Sequence, residues 1–326
     1  MDIFTHWFIT YLINFAFQTL KFNEYAMVFG ILVGILPDFD VILYPIGKRY
    51  PTWRHRGASH SIFIITLETL ILAFIFAPII NVPVGPLFLI GLISGLGHIC
   101  LDTLTTIGIP VFWPLSKKEV HLDLERAINP YFMGISIFFI VFLFQLRGWF
   151  PYSIYLLLIN IITASFILYY MMKLIIKTYI QIKYSTQDFK IKAIPTAGIF
   201  KWYLVGKKED GGVLRLKYCR YNLLIKEKPK FRYFSCNCLK PAKLPLNSIE
   251  NAMAYTYHLL EVKSFISKFK YPLAEAEQKN TDKEWTVFWF PLELMGLNRA
   301  MAIKVDINSE GEYKTKHAYF KKYSNI

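Results

Sequence analysis

Residues 86–108 read PLFLIGLISGLGHICLDTLTTIG. A helix crossing a bilayer needs about 20 apolar residues, and this run is long enough. It also carries His98 and Asp102, four residues apart and therefore on one helix face. Ionisable groups at membrane depth are costly and usually mark function. Gly91 and Gly95 precede the pair, and Gly30 and Gly34 precede Asp38 at the same step. Glycine stripes let membrane helices approach closely, so the two segments are predicted to pack through them and aim Asp38 at His98 and Asp102. At about 1.5 Å per residue, a helix running to Gly108 would recess Asp102 by roughly 10 Å.

The surrounding composition fits a membrane domain. The 326-residue chain is 54% hydrophobic and only 18% charged, with a mean hydropathy of +0.35. Soluble domains carry about 25% charged residues, so a disordered chain and an ordinary soluble enzyme are both excluded. Apolar segments near 3–20, 25–44, 60–80, 86–108, 131–147 and 151–176 predict about six transmembrane helices. Of the net charge of +14, +12 falls within 180–326. The expected architecture is an α-helical membrane bundle over 1–182, followed by a small, basic cytoplasmic α+β domain over 183–326.

Loop charge sets the expected orientation. Lys48, Arg49, Arg54, Arg56, Lys117, Lys118, Arg126 and the lysines opening the tail fall on one side, against Lys21 and Arg147 on the other. The positive-inside rule then predicts a multi-pass membrane protein with both termini in the cytoplasm. No basic region precedes the first apolar run, so no cleavable signal peptide is expected. Cys100, Cys219, Cys236 and Cys238 read as reduced structural thiols, and the single Cys236-x-Cys238 is a weak metal signal.

The tail has its own pattern. Trp202–Val205, Val213–Tyr218, Trp285–Phe290 and Ala300–Val305 read as strands. Asp210-Gly211-Gly212, Pro229 and Ser309-Glu310-Gly311 read as turns. Residues 247–269 read as a helix capped at Asn247 or Ser248, giving an antiparallel sheet with one helix.

The polar residues of the apolar half share a side in this topology. His6, Asp38, Asp40, His55, His60, His98 and Asp102 all approach the cytoplasmic leaflet. His6, Thr10, Asn14 and Gln18 form a four-step polar stripe expected to face the bundle interior. Arg56 offers a planar fork for a phosphate or carboxylate, Ser59 reads as a helix N-cap, and Thr105 could add a hydroxyl. Glu68 reads equally well as a plain interhelical hydrogen-bonding group, and His121 and Asp123 as loop residues. Singly, each histidine is explained by interfacial hydrogen bonding; together, the set points to a metal centre.

Four motifs occur in order: Thr5-His6; Leu36-Pro37-Asp38-Phe39-Asp40; His55-Arg56-Gly57-Ala58-Ser59-His60-Ser61; and His98-x-x-x-Asp102-x-x-Thr105-x-x-Gly108. Over residues 1–180 they resemble the YdjM-type family of bacterial and archaeal inner-membrane proteins, described as membrane-bound metal-dependent hydrolases. A looser resemblance to the soluble extension of some members runs through Pro195 with Trp202, Phe269-x-Tyr271-Pro272 and Gly311. The resemblance implies a helical membrane domain with His6, Asp38, His60, His98 and Asp102 as metal residues, Asp40 and His55 next, and a hydrolytic activity.

Mixed imidazole and carboxylate donors suit zinc, manganese or iron, and their number could serve one or two ions. The expected reaction is hydrolysis of a phosphoester or lipid-linked substrate, with Asp40 accepting the proton of water and Arg56 holding a phosphate oxygen. The alternative is a non-catalytic metal-binding scaffold whose basic tail binds anionic lipid or a protein partner. The tail has no nucleic-acid motif. A transporter ranks last, because inverted repeats are not visible.

Overall fold

A computed structural model describes residues 1–18, 24–43, 56–146, 149, 151–210, 213–225, 229–237, 246–267, 269, 272–279, 284–292 and 299–321. The chain forms two compact units, Met1–Met172 and Lys173–Ile326. The first contains α1 (Ile3–Gln18), α2 (Glu24–Ile35), a 3₁₀ segment (Leu36–Leu43), a 3₁₀ turn (Ala58–His60), α3 (Ile62–Ile80), α4 (Val84–Thr103) and α5 (Pro130–Leu146). The unit boundary falls inside α6 (Tyr152–Tyr184).

Six membrane spans are not supported. Among the described residues, α3, α4 and α6 are long and apolar enough to cross a bilayer, and α5 is a shorter apolar helix. α1 has 16 residues and α2 has 12. The expected span over 25–44 breaks because Pro37 has no amide hydrogen to continue an α-helical ladder, and the chain passes into 3₁₀ geometry. Ser61, not Ser59, caps α3: its side chain accepts from the Ile64 N–H at 3.2 Å.

α4 stops at Thr103, short of the expected Gly108. The chain folds back on the helix end. The Leu122 N–H donates to the Thr103 carbonyl at 2.6 Å, and Leu124 and Glu125 both donate to the Leu104 carbonyl. Asp102 therefore sits in the last turn of α4. It is fully buried, with Met1, His6, Arg56 and His60 around its carboxylate.

The glycine stripes bring α2 and α4 together as expected, each glycine meeting a side chain and not a facing glycine, and they also admit α1 and α3. A Cβ on Gly34 would collide with Thr10 of α1, and one on Gly95 with Ile65 of α3. Gly91 faces Thr69 of α3 and Phe29 of α2, while Gly30 faces Asn14 and Ile90. The polar stripe of α1 is buried at His6, Thr10 and Asn14. Asn14 Nδ2 donates to Ser94 Oγ at 2.8 Å, tying α1 to α4.

The second unit holds two four-stranded antiparallel sheets and two helices, where one sheet and one helix were expected. The first sheet is β1 (Ile191–Pro195), β2 (Lys201–Asp210), β3 (Val213–Asn222) and β4 (Arg232–Asn237), in that order. The second is β5 (Pro272–Gln278), β6 (Trp285–Pro291), β7 (Arg299–Ile307) and β8 (Tyr313–Lys321), also in order. The helix predicted over 247–269 divides into α7 (Ile249–Tyr257) and α8 (Leu260–Ile266), because Leu259 is extended, with ψ 138°. Ser248 caps α7, accepting from the Asn251 N–H at 3.2 Å.

Period-2 alternation explains how the first sheet is covered on both faces. Tyr203, Val205, Leu216 and Tyr218 join Trp289, Phe290 and Phe265 in one core. Trp202, Leu204, Cys219 and Tyr221 join Ile180 of α6 in another. The Ser309-Glu310-Gly311 turn is present, with Gly311 at φ 88° and Asn308 Oδ1 accepting the Glu312 N–H at 2.8 Å. Gly211, Gly212 and Cys238 lie outside the described residues.

Gly34→Val should destabilise the helical unit by about 1–3 kcal/mol through overpacking against Thr10. Gly134→Ala, with nothing within 4 Å of the added Cβ, should be neutral or stabilising by roughly 0.5–1 kcal/mol. Thermal stability in detergent, followed by gel filtration, checks both.

Candidate metal centre

The cluster is assembled from four pieces of chain. α1 contributes His6, the 3₁₀ segment Asp38, the 3₁₀ turn His60, and α4 both His98 and Asp102. One ligand atom from each of His6, Asp38, His98 and Asp102 lies within 4.8 Å of the others. His60 joins them: its Nε2 lies 3.3 Å from His98 Nε2, 3.3 Å from Asp102 Oδ2 and 3.7 Å from Asp38 Oδ1. The His6 and His98 rings stack at 3.7 Å between centroids. His6, His60, His98 and Asp102 are fully buried.

The surroundings set the ring orientations. His98 Nδ1 lies 2.8 Å from the Gly34 carbonyl oxygen. A carbonyl only accepts, so Nδ1 carries the proton and Nε2 presents its lone pair to the cluster. The Gly34 carbonyl is available because the last-turn carbonyls of a helix lack intrahelical partners. His60 Nδ1 faces Ser59 Oγ at 3.0 Å and Asp40 Oδ2 at 3.4 Å, which leaves Nε2 pointing inward.

Asp40 stands behind His60. Its Oδ2 accepts from Ser59 Oγ at 2.6 Å and from the Arg56 N–H at 3.1 Å. Arg56 is the compensating cation. Its Nη2 donates to Asp102 Oδ1 at 3.2 Å and its Nη1 to Thr105 Oγ1 at 3.2 Å. The Arg56 backbone is in the left-handed region at φ 63°. For a non-glycine residue that conformation costs of order 1–3 kcal/mol and is often found at functional sites. The Met1 amino group also pairs with Asp102 Oδ1.

The fit to a cation rests on orphaned donors. His6 Nδ1 and Nε2, Asp38 Oδ1 and Asp102 Oδ2 are buried without a hydrogen-bond partner among the described residues. Buried polar atoms are normally satisfied. Here they converge as imidazole nitrogens and carboxylate oxygens, the donor types that divalent metals take. The cluster could therefore hold a metal ion.

Of the residues singled out from sequence, the fold brings together His6, Asp38, His60, His98 and Asp102, with Asp40 and Arg56 directly behind them. His55 lies outside the described residues. Thr105 bonds Arg56 and the Asp102 carbonyl and does not join the cluster. His121 and Asp123 form a local pair at 2.8 Å. Sequence reading missed the Gly34 carbonyl; Pro37, which ends α2 just downstream, was the signal for it.

A helical membrane domain enclosing a histidine–aspartate cluster is the class of protein that this fold and site define. The chain belongs to the YdjM inner membrane protein family, which matches residues 1–178. It is also similar to the inner membrane protein YbcI of Escherichia coli (strain K12), at 30% identity over 115 residues, covering 31% of this chain and 66% of that protein. The match thus spans just under two thirds of the relative's length. No solved structure matches the chain.

In metal-stripped protein, Asp102→Ala should cost about 3–5 kcal/mol, because it leaves the buried Arg56 guanidinium unpaired. Adding Arg56→Met should recover much of that loss. A double-mutant cycle on thermal unfolding in detergent gives the coupling directly.

Proposed function

We propose that this chain is a membrane-bound metal-dependent hydrolase acting on a phosphoester or lipid-linked substrate at the cytoplasmic leaflet. The supporting observation is the convergence of orphaned buried imidazole and carboxylate atoms from α1, the 3₁₀ segment and α4. His6, Asp38, His60, His98 and Asp102 are the proposed ligands, with His55 retained from the family resemblance. Zinc, manganese or iron fits this donor set, as one ion or two. A bound ion of this kind lowers the pKa of its water to about 7 and polarises the scissile bond.

The chain's own groups have separable tasks. The Gly34 carbonyl fixes the His98 ring, and Asp40 with Ser59 fixes His60. Such outer partners set tautomer and basicity. Asp40 thus positions His60 and, with Asp38 placed among the ligands, stays the proposed proton acceptor. Arg56 offsets the charge of Asp102 and supplies the cation nearest to a substrate phosphate.

The scaffold reading is favoured by one observation: Arg56 and Asp40 already bond within the site. Purified full-length protein separates the two readings. Hydrolysis predicts stoichiometric divalent metal, phosphoester cleavage lost on chelation and restored by metal, and at least tenfold less bound metal after His98→Ala, in line with the roughly 10–100-fold effects of disturbing metal-site residues. Metal without turnover on a broad phosphoester panel supports the scaffold. Full metal retention in His98→Ala contradicts both.

A further inference from the structure

The chain that folds back on α4 carries a tip fixed by its own hydrogen bonds. Ile109 and Val120 exchange backbone bonds, at 3.2 Å from the Ile109 N–H and 2.9 Å from the Val120 N–H. Ile109 and Val111 are buried with Ile65 of α3 and Ile99 of α4. The Ile62 N–H donates to the Val111 carbonyl at 3.0 Å. Beyond Val111 the chain turns on itself: the Trp113 N–H donates to the Pro110 carbonyl and the Ser116 N–H to the Phe112 carbonyl, each at 3.0 Å. α3 begins at Ile62 and α4 ends at Thr103, and both are long and apolar enough to cross a bilayer. The tip therefore stands where two such helices meet the same membrane surface.

Phe112 is 50% exposed and Leu115 78% exposed. They stand three residues apart in one hydrogen-bonded turn, a spacing that puts side chains on one side. Lys117 and Lys118 follow at once and are exposed, while Glu119 is half-buried. A scattered apolar side chain at a surface needs no explanation. Two large ones held outward by a tied-down turn, next to two ammonium groups, make the pattern of an interfacial anchor. In such an anchor the apolar part enters the acyl boundary and the basic part meets anionic headgroups. Loop charge that serves orientation alone asks for the lysines and leaves the outward Phe112 and Leu115 without a reason.

We propose that the tip at 112–118 is an anchor for an anionic lipid surface. Phe112 and Leu115 enter the edge of the acyl layer, and Lys117 and Lys118 bind headgroup phosphates. The Leu122 N–H ties the returning chain to the Thr103 carbonyl at 2.6 Å. The anchor thereby also holds the last turn of α4, and Asp102 with it, at headgroup depth. The inference needs neither a bound ion nor the hydrolase reading.

The test puts a photoreactive benzophenone amino acid in place of Leu115, in full-length protein reconstituted into vesicles of equal phosphatidylcholine and phosphatidylglycerol, and reads the adducts by mass. Phosphatidylglycerol adducts should exceed phosphatidylcholine adducts at least about threefold, less than two lysines at an anionic surface can supply. The same group in place of Phe74, 61% exposed on α3, should label both lipids equally. Lys117→Gln with Lys118→Gln, both at exposed positions, should keep lipid labelling at 115 and bring the two lipids to equality. The proposal is overturned by a lack of lipid adducts at 115, or by adducts to a second copy of the chain in their place. Equal labelling by both lipids with the lysines present, or a preference that survives the double substitution, also overturns it. Labelling requires no turnover, so its outcome stands apart from that of the phosphoester assay.

Discussion

Three imidazoles and two carboxylates packed against one another inside an apolar helical unit impose the constraint on which the first unit depends. Burying such groups costs several kcal/mol each unless they are bonded or hold a cation. The unit meets that cost in layers. Arg56 and the Met1 amino group offset Asp102; Ser59 and the Arg56 amide hold Asp40; the Gly34 carbonyl holds His98. At the centre, His6 Nδ1 and Nε2, Asp38 Oδ1 and Asp102 Oδ2 stay without a hydrogen bond among the described residues.

Packing and chemistry share the same residues. Gly34 lets α1 approach α2 at Thr10, and its carbonyl orients His98 on α4. Pro37 ends α2, which both frees that carbonyl and turns the chain so that Asp38 reaches the cluster while Asp40 reaches His60. A straight membrane helix through 25–44 would have put Asp38 and Asp40 on different faces. The break allows both to serve one site.

Much of the site was legible in the sequence, because ionisable residues in apolar surroundings stand out and the i,i+4 step of His98 and Asp102 fixes a shared face. Of the metal-site candidates, His6, Asp38, His60, His98 and Asp102 converge. Element lengths were less legible. Hydropathy alone does not register that Pro37 breaks a helix, or that the backbone after Thr103 finds better partners in residues 120–125 than in another helical turn. Roles behind the cluster were hidden too: Asp40 and Asp38 are equivalent in a motif, and only the Ser59 and Arg56 bonds separate them. In the second unit, Trp202 and Trp285 marked strands, but β1, β4, β5 and β8 went unread, and with them the division into two sheets.

X-ray absorption at the metal edge of the purified full-length protein tests the central claim most directly. The account predicts a stoichiometric divalent ion with a first shell of nitrogen and oxygen at about 2.0–2.2 Å and the outer-shell scattering of several imidazoles. A shell of oxygen alone, or protein that takes up no ion when metal is supplied, would contradict it.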